Sequence, residues 1–187
     1  MSMKEGTVKY FSVPDQQFNK VKSELNIIKK TIEGKGNCSL ELDEKDRRVI
    51  LKCESTGIYE FMRISKVIEA IIIGFSYVSA LRLMDESKDL VIINLKDYAS
   101  NPQHERRIKA RIIGESGKVK RNIQELTSTE IIIADHVVSI IGKAEDVELA
   151  KRAIQMLIEG KEHSTVYKFL NRAVLSKDYI SQSKKDV

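Results

Sequence analysis

In Arg111-Ile112-Ile113-Gly114-Glu115-Ser116-Gly117-Lys118-Val119-Lys120-Arg121-Asn122-Ile123, two glycines stand three apart inside a helical pattern. Ile113 before them and Val119 and Ile123 after them continue one apolar face. A glycine inside a plain helix costs ~1 kcal/mol relative to alanine, so the pair marks a break. The expected geometry is two short helices joined by a tight turn that another backbone can approach closely. From His104 to Arg121, seven basic residues (Arg106, Arg107, Lys109, Arg111, Lys118, Lys120, Arg121) meet only two acidic ones, Glu105 and Glu115. That surplus of five equals the formal net charge of the whole 187-residue chain. A solvated helix face usually mixes signs, whereas this segment offers a cationic surface to a polyanion.

On either side of this stretch the chain repeats. Ile28-Lys29-Lys30-Thr31-Ile32 lies over Val119-Lys120-Arg121-Asn122-Ile123 at an offset of 91, and the same offset carries Leu40-Glu41-Leu42 onto Ile131-Ile132-Ile133. Beyond the hairpins the offset falls to 86, which means five more residues in the first copy, the one with the longer turn, Asp43 to Arg48. Each copy predicts a strand, helical material, a hairpin and a closing helix. In the first copy these are Thr7 to Val13, Asp15 to Glu33, Ser39–Leu42 with Arg48–Cys53, and Ile58 to Gly74. In the second they are Asp89 to Leu95, Arg106 to Leu126 with its interruption, Glu130 to Ile141 turning at Ala134-Asp135-His136, and Ala144 to Glu159. Phe75 to Met84 predicts a connecting helix, and His163 to Ala173 repeats it. The domain boundaries expected are 1–86 and 87–175, followed by a disordered tail over 176–187 with little apolar content.

Composition narrows the class. At 42 % hydrophobic and 32 % charged residues the chain can form cores, and its longest apolar runs, Ala70-Ile71-Ile72-Ile73 among them, are far below the ~18 residues of a membrane span. A cytoplasmic protein with no membrane association is expected, since Met1 to Tyr10 has no secretory pattern and two cysteines make no disulfide framework. If Leu42 pairs with Val49, Cys38 falls opposite Cys53. A cross-strand disulfide is then conceivable, but two reduced, half-buried thiols are the expectation.

The pattern I-I-G-x-x-G-K-x-x-x-x-I, set in strand–helix–helix–strand–strand–helix, resembles a type I KH domain. Domains of this kind clamp about four nucleotides of single-stranded nucleic acid with the GXXG loop. The sequence from Arg111 through Val138-Ser139-Ile140-Ile141-Gly142 and Glu148 to Ile154 is similar to the archaeal relatives of the Dim-two (partner-of-Nob-one) family, KH proteins of small ribosomal subunit assembly. So are Leu157 to Gly160 and Thr165 to Leu170. The likeness covers roughly residues 89–173 closely and the first half in architecture only. The fold class expected is α/β (α+β): two tandem type I KH-like domains, each a three-stranded antiparallel sheet packed against helices. In the first copy Ser23-Glu24-Leu25-Asn26 occupies the place of the loop, so that unit is expected to be degenerate, with an unbroken helix.

The resemblance implies a non-catalytic protein that binds single-stranded RNA at the 3′ region of the small-subunit rRNA. It also implies two protein partners, a Nob-type endonuclease and the alpha subunit of archaeal initiation factor two. The RNA-binding set expected is Gly114, Glu115, Ser116, Gly117 and Lys118 for backbone contacts, with Arg111, Lys118, Lys120, Arg121, Arg107 and Lys109 for charge and Ile112 or Ile113 as an aliphatic floor. Glu115 is acidic where such loops commonly carry a basic or neutral residue.

No cofactor is expected. Gly117-Lys118 is followed by Val119 rather than Ser or Thr, and no glycine stands five positions before Gly117, so a P-loop is absent. His104, His136 and His163 lack partners at metal-ligand spacing, and Asp135-His136 reads as a turn. Without a carboxylate cluster or phosphate loop, an enzyme is the last choice. The alternative kept open is a KH-like scaffold for protein partners with little RNA binding, favoured by Glu115 and the degenerate first copy. Its candidate docking surface is the apolar run Ile64 to Val78.

Overall fold

The structure is a computed structural model that describes residues 6–34, 37–54 and 57–183, with side chains up to residue 176. The chain divides into two compact units, 1–88 and 89–187. Each holds a three-stranded sheet packed with helices.

In the first unit β1 (Thr7–Ser12), α1 (Phe18–Glu33), β2 (Cys38–Asp43), β3 (Arg48–Cys53), α2 (Ile58–Ile73) and α3 (Tyr77–Leu81) follow in order. The sheet order is β1-β3-β2, with both pairings antiparallel. Proline at 14 fixes an extended bend after β1, and a single 3₁₀ turn, Asp15–Gln17, leads into α1. α1 then runs without interruption and buries Val21, Leu25, Ile28 and Ile32, the 4-3-4 spacing of one helix face. The connecting helix is shorter than the sequence predicts. Phe75 stays outside it and fully buried, and Ser76 caps α3 by accepting the Ser79 N–H. Of the Ile64 to Val78 run, Ile64, Val67, Ile68, Ala70, Ile71 and Phe75 are buried, which removes most of it as a free docking face.

Register in this hairpin is set by Asp43. One carboxylate oxygen accepts the Lys45 and Asp46 N–H groups and the other accepts Arg48 Nε, so a single side chain organises the four-residue turn. Leu42 therefore pairs with Val49, and Cys38 stands opposite Cys53. The neighbouring Asn37–Glu54 pair carries a backbone hydrogen bond, which leaves the cysteines in a close non-hydrogen-bonded pair with Cα atoms 4.0 Å apart. Their sulfurs are bonded, and the expectation of two reduced thiols is corrected.

The second unit comprises β4 (Lys88–Asn94), α4 (Pro102–Ile113), α5 (Lys118–Thr127), β5 (Glu130–Ala134), β6 (Val137–Lys143), α6 (Ala144–Ile158) and α7 (His163–Ser183). Its sheet order is β4-β6-β5, the same topology as the first. Ile93 and Leu95, Ile108 and Ile112, Val119 and Ile123, and Val138 and Ile140 meet in one core that α6 and α7 close with Ile154, Leu157, Val166 and Leu170. α4 begins four residues earlier than the sequence predicts, with Asn101 accepting the His104 N–H and Pro102 at the first helical position. α7 continues through Ser183, so the tail expected from Ser176 is helical over most of its length. No glycine or proline follows Gly160 to stop it. Residues 184–187 lie outside the described residues.

The disulfide yields the first prediction. Cys38 and Cys53 are 15 apart in sequence, and a loop of that size corresponds to about 3 kcal/mol of unfolded-state entropy. Reduction, or Cys53→Ala, is expected to lower the unfolding free energy of the first unit by up to that amount. Intact mass with and without reductant, alongside urea unfolding, checks it: free thiols in non-reduced protein would show the bond is not formed.

Candidate nucleic-acid interface

The break between α4 and α5 is a four-residue turn, Gly114 to Gly117, whose conformations explain its glycines. Gly114 has φ 70° and ψ 177°, a region open essentially to glycine alone. A Cβ at Gly114 would also fall 2.2 Å from Val119 Cγ2. Gly117 is left-handed at φ 77°, but a Cβ there would meet nothing nearer than the Arg121 guanidinium at 3.7 Å. Ser116 is left-handed as well, at φ 49°. The two glycines thus have separate reasons: Gly114 lets the end of α4 lie against the start of α5, while Gly117 only turns the chain.

The turn leaves α5 with an unusual N-terminus. A helix start has four backbone N–H groups without helical partners and a partial positive charge, normally met by a capping oxygen or an acidic side chain. Here the N-cap is Gly117, no side chain caps the helix, and its first turn contains no acid. Instead Lys118, Lys120 and Arg121 add three cations to the positive end. Neither they nor Arg107 forms an ion pair or side-chain hydrogen bond among the described residues. For helix stability this arrangement is unfavourable. For an anion seated on the turn the helix dipole and the three cations are favourable, while Glu115 opposes it and the N–H groups of Gly114, Gly117 and Lys118 are already given to the carbonyls of Ala110, Gly114 and Glu115.

The other predicted residues divide. Ile113 is 38 % exposed beside the turn and available as an apolar contact. Ile112 is fully buried in the core, which corrects its assignment to a groove floor: one residue along a helix turns by 100°, so neighbours cannot share a face. Arg111 and Lys109 are engaged within the fold. Arg111 donates from Nε to Leu157 O (3.3 Å) and from Nη2 to Lys161 O (2.7 Å), closing the carbonyl end of α6. In return, His163 Nε2 donates to Arg111 O at 3.0 Å. Lys109 binds Glu105 at 2.7 Å and donates to Asp135 O. Glu115 and Ser116 are exposed at the tip, where Glu115 carries the only negative charge of the turn.

Two positioning groups escape sequence reasoning. His163 holds the end of α4 from 52 residues away. Glu105 is buried on the inner side of α4 and accepts His136 Nδ1 at 2.8 Å, tying α4 to the tight turn between β5 and β6. Asp135-His136 is that two-residue turn, with Asp135 left-handed. Hydrogen bonds from Lys109 and then His136 hold the Glu105 carboxyl below the usual carboxylate range. Among the described residues no cluster of His, Cys, Asp and Glu could hold a metal ion, and no helix is long and apolar enough to cross a membrane.

A strand, two helices broken by a glycine turn, a hairpin and a closing helix define a type I KH domain. The family model for the second KH domain of PNO1, described as a eukaryotic-type (type I) KH domain, matches residues 89–174. A KH domain-containing protein of Methanocaldococcus jannaschii is 31 % identical over 167 residues, which are 89 % of this chain and 74 % of that protein. The RNA-binding protein pno1 of Drosophila melanogaster is 30 % identical over 171 residues, covering 89 % of this chain and 70 % of the relative. Among solved structures, the complex of a/eIF2alpha, aDim2p and rRNA from Pyrococcus horikoshii matches with a TM-score of 0.79 at 28 % identity, over 91 % of this chain and 96 % of the matched one. The chain belongs to the PNO1/Dim2 family of KH-domain proteins.

Two predictions follow from the geometry. Gly114→Ala carries both a conformational and a steric penalty and is expected to destabilise the protein by roughly 2–4 kcal/mol, against about 1 kcal/mol for Gly117→Ala. Equal losses in urea unfolding would refute the separate roles. Because the folded pKa of Glu105 is depressed, its contribution is complete above the unfolded value of about 4.3 and disappears as pH falls through the lower folded value. Glu105→Gln is expected to be less stable than wild type at neutral pH, with the gap closing in acid. A gap that does not change with pH would rule the ion cluster out as its source.

Proposed function

We propose that this chain is a non-catalytic, cytoplasmic RNA-binding factor of small ribosomal subunit assembly that holds single-stranded RNA on the Gly114–Gly117 turn. The observation that carries this is the uncapped, acid-free start of α5 with Lys118, Lys120 and Arg121 in its first turn, directly behind the glycines. Backbone N–H groups and the helix dipole favour a phosphate there, and the three cations add counterion release. Ile113, exposed at the same turn, supplies an apolar surface for a base. Arg107 on α4, exposed and without an ion-pair partner among the described residues, adds to the positive charge.

The wider context comes from the relatives. The Pyrococcus aDim2p structure contains rRNA together with a/eIF2alpha, so the corresponding RNA and initiation-factor subunit are the partners proposed here. A pre-rRNA-processing protein of Aspergillus oryzae is 26 % identical over 161 residues. The 3′ region of the small-subunit rRNA is the proposed target. The first unit is proposed as a KH-like domain without nucleotide clamp. Its α1 passes unbroken through Ser23 to Asn26, and buried Leu25 stands where Ser116 stands in the second copy.

Substitution of the glycines would confound binding with folding, so the test belongs at the tip. Ser116 is exposed and left-handed, a conformation that Asp tolerates. Ser116→Asp places a second carboxylate beside Glu115 and is expected to weaken binding of short RNAs from the rRNA 3′ end at least tenfold, about 1.4 kcal/mol. Glu115→Lys should tighten binding and steepen its salt dependence by roughly 0.7 in log–log slope per added phosphate contact. Fluorescence anisotropy with a duplex control measures both. If wild type fails to bind at low salt, or Ser116→Asp binds as well as wild type, the turn is not the RNA site.

A further inference from the structure

α7 carries more apolar surface than the fold uses. Val166 and Leu170 are fully buried and close the core of the second unit. On a neighbouring stripe of the same helix, Phe169 and Ala173 are only half-buried and, with Met156 of α6, form the apolar lining of an open groove of about 450 Å³. Two cations border it, Lys168 and Arg172, four residues apart and so on one face of the helix. Both are exposed, and neither has an ion-pair partner among the described residues. On α6, by contrast, Lys151 and Arg152 both engage Glu148.

We propose that this groove seats an acidic amphipathic segment of a partner protein. A Leu, Phe or Met side chain of the segment would rest on Met156, Phe169 and Ala173, and its carboxylates would pair with Lys168 and Arg172. Three features select this occupant. The volume suits one or two large side chains, and a half-buried thioether beside an aromatic ring is an adaptable apolar surface. The unmatched charge is positive, so the complement is acidic. The groove lies in the middle of α7, where backbone N–H groups are consumed by the helix, so a phosphate chain would find two side-chain cations and nothing more. The chain's own last residues, Lys184-Lys185-Asp186-Val187, are net basic in side-chain charge and do not complement it.

The site is separate from the RNA turn, and the experiment keeps the two apart. A displayed library of helical peptides with Leu, Phe and Met on one face and Asp and Glu on the other is selected on the full chain. Enriched peptides are then measured against wild type, Lys168→Glu/Arg172→Glu, Ala173→Trp and Ser116→Asp. The expected result is net-acidic binders with a large apolar anchor that lose at least tenfold in affinity for the charge-reversed protein. They should lose a similar amount when tryptophan fills the groove and be unaffected by Ser116→Asp. Failure to enrich binders, or binding that survives both groove variants, overturns the proposal. So does RNA binding that falls in Lys168→Glu/Arg172→Glu as it does in Ser116→Asp, which would make the groove part of the RNA path. Self-association abolished by the same charge reversal would overturn it in favour of a second copy.

Discussion

The contact between Gly114 and Val119 is the constraint from which the second unit's chemistry follows. With a hydrogen atom in place of a side chain, the last residue of α4's turn lies directly against the first turn of α5. That closeness forces the chain through two further left-handed residues, Ser116 and Gly117, before α5 can begin. Because the residue at the N-cap is then glycine, no side-chain oxygen meets the helix start. One steric fact thus accounts for the sharp turn, the exposed Glu115 and Ser116 at its tip, and a helix N-terminus left open to an external anion.

Around that turn the basic residues have divided duties that their sequence spacing does not announce. Lys109 and Arg111 are both held within the fold, Lys109 pairing its charge with buried Glu105 and Arg111 donating hydrogen bonds to the carbonyl end of α6 while keeping its charge. Arg111 is bound twice over, since its own carbonyl accepts the His163 ring N–H. The effect is to fix α4 at both the hairpin side and the α6–α7 corner. A turn intended to present backbone N–H groups to a flexible strand benefits from rigid supports, because ordering the turn on binding would otherwise cost entropy. Lys118, Lys120 and Arg121, without such engagements among the described residues, are the cations of the proposed RNA site.

What was legible in the sequence is what is local. The 91-residue offset located both hairpins, the glycine pair marked the helix break, and the absence of glycine at Ser23–Asn26 announced an unbroken α1. The Asn101-Pro102 start of α4 was equally local, a capping residue followed by proline, and its signal was present although the helix was expected to begin later. What was not legible depends on residues far apart in the chain. Nothing near Arg111 shows that it binds Leu157 and Lys161, 46 and 50 positions away. Charge counting therefore does not show that Lys109 is ion-paired and Arg111 held by carbonyls, nor does the sequence say which of Ile112 and Ile113 faces the core; rotation around the helix puts Ile112 there. The cysteines were misjudged for a related reason. Their register was derivable, but confidence in it required knowing that Asp43 folds the longer turn into a closed loop.

The two units show how little separates a clamp from a plain helix pair on this architecture. Both have a sheet with the third strand between the first and second, and both bury one face of the helix that follows the first strand. In the first unit that helix keeps Leu25 buried within an unbroken ladder; in the second, the equivalent place is Ser116, exposed in a left-handed turn. Restoring a clamp to the first copy would need more than two glycines. It would remove a core side chain, at a cost of ~2–5 kcal/mol for a buried leucine, and leave α1 without the continuous face that covers its sheet. The absence of a clamp there is therefore built into the core of the first unit, whereas in the second unit the clamp sits outside the core. A charge change at Glu115 or Ser116 can alter the nucleic-acid surface there while the packing beneath it stays the same.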